Sequence, residues 1–132
     1  MRALSRRAHA LGLSAVLALV VTASVAAYLS LLPRFLGRIP HFDKVCHFSG
    51  YGLLAVFLDG VLSFRAKAEA RTSRFPWAGL AVLAVAGLEE LAQGLSPVRE
   101  CSVWDFAADA GGVLLLLALA RLATRPARAR VG

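Results

Sequence analysis

The chain has 132 residues, 58% of them hydrophobic and only 17% charged, and its mean hydropathy is +0.67. That composition excludes an ordinary soluble domain. A net charge of +7 would suit nucleic acid, but the basic residues flank long apolar stretches, so no nucleic-acid partner is expected and the charge is read as topology.

The first apolar window, 10–32, follows Arg2, Arg6 and Arg7. It is longer than the 7–15 residue core of a secretory signal, so an uncleaved helix is expected despite the Ala-rich stretch 23–27. Pro33 and Pro40 interrupt the chain after it. The second window, 45–64, starts near Asp43, whose carboxylate is expected to cap the helix. Arg65, Lys67, Arg71 and Arg74 follow it. Pro76 and Trp77 open the third window, 76–95, and Ser96-Pro97 closes it. Ser102 is expected to cap the fourth, 103–123, which leads into a basic tail, 124–132.

Each window approaches the ~20 apolar residues that a spanning helix needs. Together they predict an all-α, four-helix transmembrane bundle over a single domain, 1–132. Eleven basic residues fall at the two termini and the middle segment, against four elsewhere (Arg34, Arg38, Lys44 and Arg99). That bias predicts cytoplasmic N and C termini in the cell membrane, with lipid headgroups as contacts of the basic segments. Ala107 with Gly111, and Ala108 with Gly112, have the spacing that lets helices approach closely.

In this topology the polar residues collect on the outer side. Asp43, Lys44 and His47 start the second helix, Glu89, Glu90 and Gln93 end the third, and Asp105 and Asp109 start the fourth. Asp43, His47 and Tyr51 share one stripe at four-residue spacing. Ionisable groups in a membrane usually face the bundle interior or a wet cavity, so an acidic, outward-opening pocket is expected. Glu90, His47 and Asp105 are the candidate acid/base groups. The same three would be the ligands if a divalent metal were the cofactor, although no established metal-binding spacing is present and no cofactor is required. Asp59 is left near the inner end, where it is expected to meet the basic middle segment, and Glu89 is expected to face the surface. Cys46 and Cys101 lie on the outer side, where a disulfide is chemically allowed, though both more often serve as small packing residues.

The stretches DKVCHFSGYGLL (43–54) and ELAQGLSPVRECSVWDFAADAGG (90–112) resemble the D-K-x-x-H-F-x-x-Y-x-x-L and E-x-x-Q…P-x-R-x-x-S-x-x-D-x-x-x-N-x-x-G segments of the VanZ-like family. These are small multi-pass bacterial membrane proteins named for an accessory protein of teicoplanin resistance. The resemblance covers about half the chain and implies a binding role for Asp43, Lys44, Tyr51, Gln93, Arg99, Ser102 and Asp109 beside Glu90, His47 and Asp105. Gly112 matches as well, whereas Asp109 stands where the family has Asn.

The leading expectation is a cell-envelope protein that binds or modifies a lipid-linked or glycan substrate, and the family resemblance implies a link to glycopeptide tolerance. The alternatives are a small ion- or proton-coupled transporter and a non-catalytic scaffold whose ion pairs fix helix order. The lack of an inverted repeat argues against the transporter.

Overall fold

The computed structural model describes residues 5–68 and 76–124, with the backbone alone over 64–68. Four helices, α1 (Arg6–Tyr28), α2 (Phe42–Ala68), α3 (Trp77–Gln93) and α4 (Val103–Ala123), make up the fold, with one 3₁₀ turn at Leu36–Arg38 and no strand among the described residues. The basic residues Arg2, Arg71, Arg74, Arg125, Arg128 and Arg130, and the side chains of Arg65 and Lys67, lie outside that description.

Local chemistry sets the helix ends. Ser5 Oγ accepts the Ala8 N–H at 3.2 Å and starts α1. The helix stops at Tyr28, short of the expected end at 32, because Ser30 turns left-handed (φ 55°) and the Leu31 N–H closes back on the Ala26 carbonyl at 2.8 Å. Entry to α2 is likewise sharp, with His41 at φ 57°. Asp43 therefore lies inside the first turn of α2, and its carboxylate accepts from Lys44 Nζ at 2.7 Å. Its negative charge still favours the helix start. Pro76 precedes α3, and Ser102 caps α4 as expected, its Oγ accepting the Asp105 N–H at 3.2 Å.

Three helices are long and apolar enough to cross a membrane: α1, the Phe42–Ser63 part of α2, and α4. At 17 residues α3 is shorter, about 25 Å of helix against a hydrocarbon core of about 30 Å. The packing is inside-out relative to a soluble bundle. Leu19, Val85, Leu88, Leu91 and Leu114 are each more than half exposed, whereas Glu90, Gln93, Asp105 and Asp109 are buried. A hydrocarbon surround makes both arrangements favourable.

Helix α2 is the centre and touches each of the others, most extensively α4. The two run parallel: Lys44 meets Asp105 near their starts, and Asp59 meets Arg121 toward their ends. Gly112 brings the backbones together, since a Cβ there would overlap the Phe48 carbonyl. This is the close approach anticipated from the Ala108/Gly112 spacing. Helix α3 runs antiparallel to α4, with Gly79 facing Leu117 and Gly87 facing Phe106. Helix α1 lies antiparallel on α2, Gly12 opposite Phe57 and Val20 opposite Gly50, and has no fully buried residue. Tyr51, Leu54, Ala55, Val82, Ala86 and Val113 form the apolar core.

The basic middle segment expected to meet Asp59 lies outside the described side chains, and within them Asp59 has a partner that was not anticipated. Its carboxylate takes Arg121 Nη2 at 2.6 Å and Nε at 3.2 Å, a two-pronged pair between α2 and α4. The parallel packing puts the last turn of α4 within reach of Asp59, and the fork geometry of Arg suits a carboxylate.

Candidate functional site

The first turns of α2 and α4 and the last turn of α3 meet at one end of the bundle, and their polar side chains sort into four groups. In the first, Lys44 bridges the exposed Asp43 at 2.7 Å and the buried Asp105 at 2.5 Å. Asp105 is thereby held by an ammonium and sits in the first turn of the helix that Ser102 caps.

The second group is the centre of the site. His47 Nδ1 lies 3.0 Å from Asp109 Oδ1, and the Ser102 N–H donates to Glu90 Oε2 at 2.9 Å. One ligand-capable atom from each of His47, Glu90 and Asp109 falls within 4.8 Å of the other two. Glu90 and Asp109 are 4% and 1% exposed, and Glu90 Oε1 and Asp109 Oδ2 have no hydrogen-bond partner among the described residues. The metal-capable trio thus contains Asp109 in place of Asp105. Both aspartates lie on one stripe of α4, but Lys44 occupies the carboxylate of Asp105, and the axial register of α4 on α2 sets Asp109 level with His47.

In the third group Arg99, on the connection between α3 and α4, donates from Nη2 to Oε1 of buried Gln93 at 3.1 Å. Its Nε is buried without a partner among the described residues. The guanidinium meets an amide and no carboxylate in the described contacts, which leaves its charge available to an anion.

The fourth group was not anticipated. Glu89 accepts hydrogen bonds from the Ser24 hydroxyl and the Tyr51 hydroxyl, so it joins α1, α2 and α3 and does not face outward alone. Consecutive helical residues point about 100° apart, and the rotation of α3 aims Glu90 at α4 and Glu89 at α1 and α2. The Tyr51 ring stacks beside His47, ring centres 6.1 Å apart, but its hydroxyl serves Glu89. Ser24 has no spacing or motif that would have singled it out. Among the described residues the backbone of α1 approaches that of α2 and not that of α3, so this bond tethers α1 to α3. Ser24→Ala is expected to lower unfolding stability in detergent by about 0.6–1.7 kcal/mol, the range of interhelical hydrogen bonds in membrane bundles, and to speed proteolysis within α1.

Two apolar grooves reach these groups. One of about 240 Å³ lies between α3 and α4, with a largely apolar lining that includes Gly87, Leu91, Val103 and Phe106 together with Glu90 and Ser102. The other, about 410 Å³, runs along α1, α2 and α3 and carries Ser24, Tyr51 and Glu89. Cys46 and Cys101 are both exposed and unbridged. No protein-family model, curated protein or solved structure matches this chain.

Proposed function

We propose that this is a cell-envelope membrane protein with cytoplasmic termini, whose polar end faces outward and binds an amphiphilic, lipid-linked or glycan-bearing substrate and modifies it. One observation carries the reading: Glu90 belongs both to the buried polar cluster and to the apolar groove between α3 and α4. A site that joins an acyl-compatible groove to charged groups suits a ligand with a hydrocarbon tail and a polar head. Arg99 is the head-group anchor, since a guanidinium pairs bidentately with phosphate or carboxylate. In the metal-free chain Glu90 and His47 are the acid/base pair, with Lys44 and Asp105 ordering the α2–α4 side of the pocket. The resemblance to the VanZ-like family supports the envelope setting and makes glycopeptide tolerance the cellular phenotype to measure.

Transport through a single chain is the weaker reading. The apolar layer of Leu54, Ala55, Val113 and Leu117 separates the polar cluster from Asp59 and Arg121, and a proton path needs polar groups across that layer.

Native mass spectrometry of the purified chain is the test. The wild type is expected to carry a phosphate-bearing lipid, and Arg99→Ala is expected to lose it while remaining in the membrane at the wild-type amount. Equal lipid content in both proteins would defeat the assignment. If Glu90→Gln, Arg99→Ala and Asp105→Asn all disappear from the membrane, the cluster is a scaffold. Proton or cation flux in liposomes that stops with Glu90→Gln would restore the transporter.

A further inference from the structure

We propose that His47, Glu90 and Asp109 form a binding site for a first-row divalent transition metal such as Zn²⁺ or Mn²⁺. The trio offers one imidazole nitrogen and two carboxylate oxygens within 4.8 Å of one another, drawn from three different helices. That ligand mix suits Zn²⁺ or Mn²⁺, and the imidazole disfavours Mg²⁺ and Ca²⁺, which prefer oxygen alone.

A cluster of this kind can be a mere hydrogen-bond knot. Two further observations point to a ligand. Each carboxylate commits one oxygen to the protein, Glu90 Oε2 to the Ser102 N–H and Asp109 Oδ1 to His47 Nδ1. The second oxygen of each, Glu90 Oε1 and Asp109 Oδ2, is buried and has no partner among the described residues. A buried carboxylate oxygen left unpaired is costly, and two at one place call for a positive charge between them.

The local charge points the same way. Lys44 is already engaged by Asp43 and Asp105, and among the described contacts Arg99 reaches Gln93 but neither Glu90 nor Asp109. His47 is then the basic partner left for Glu90 and Asp109, and one imidazolium cannot balance two carboxylates. The Ser102 N–H on Glu90 is an outer hydrogen bond of the kind that orients a metal ligand. Three protein ligands also leave coordination positions open to water or substrate, as in catalytic rather than structural sites. The site stands on this cluster whether or not the adjoining groove takes a lipid.

Metal content and thermal unfolding of the full chain in detergent test it. After chelator treatment and dialysis, ZnCl₂ or MnCl₂ is expected to restore about one ion per chain and to raise the unfolding temperature. Glu90→Gln and Asp109→Asn are each expected to weaken affinity about ten-fold or more, whereas Asp105→Asn keeps the ion. Retention in Asp109→Asn with loss in Asp105→Asn would overturn this ligand set. A wild-type chain that takes up neither metal and shows no thermal shift would overturn the site itself, and the wild-type measurement decides this even if a variant fails to fold.

Discussion

Gly112→Val separates α2 from α4 and is expected to be the most damaging single substitution in the chain. Position 112 faces the backbone of Phe48, so the added Cβ meets a carbonyl that no rotamer change can move aside. Overpacking a contact that can relax costs about 1–3 kcal/mol, and this one cannot relax without parting the helices. The expected loss is therefore about 3 kcal/mol or more in detergent unfolding. Parting them also pulls Lys44 from Asp105 and His47 from Asp109, so metal or lipid binding should fall together with stability. Gly111→Ala is the matched control: a Cβ there would meet the Phe48 ring at 3.7 Å, an ordinary contact. Equal stability of the Gly112→Val and Gly111→Ala proteins would refute the close packing.

The second large effect belongs to the opposite end of the same helix pair. Asp59→Ala and Arg121→Ala each remove one partner of the ion pair that joins α2 to α4. The side chains are 19% and 34% exposed for Asp59 and Arg121, so the charges are only partly desolvated. The expected cost is about 2 kcal/mol for either single change, between the values for surface and buried pairs. The exchange Asp59→Arg with Arg121→Asp should recover more than half of the loss, and that recovery is the decisive measurement. Two single variants whose losses simply add, with no recovery on exchange, would mean that the pair does not tie α2 to α4.

These two contacts mark the limit of what spacing along the chain reveals. That Asp105 and Asp109 share a stripe of α4 is plain from their separation. Which of them faces His47 depends on how far α4 slides along α2, and one helical turn of about 5.4 Å changes the answer. In the structure His47 meets Asp109 and Lys44 meets Asp105, at separations of 62 and 61 residues, and the Asp59–Arg121 pair keeps the same register with 62. A metal set drawn from residue type alone therefore included Asp105, which a lysine already holds.

Glu89 and Glu90 make the same point for rotation. Adjacent on one helix, they differ in function because α3 is turned so that Glu90 faces α4 and Glu89 faces Ser24 and Tyr51. Asp59 repeats it for helix neighbours. Among the described residues its partner is Arg121, which is 62 positions away and comes from a helix that lies parallel to α2.

By itself the sequence determined the features that local chemistry controls. Four apolar stretches became four helices, Ser102 became the cap of α4, and a small residue at 112 became the point of closest approach. It also determined that the polar residues of three helices would gather at one end, because each lies near a helix terminus. The tertiary structure alone decided helix rotation, axial register and the parallel pairing of α2 with α4, and through them which carboxylate meets which base. Those choices are made by the fit of whole helix faces, and a residue's neighbours along the chain carry little information about them.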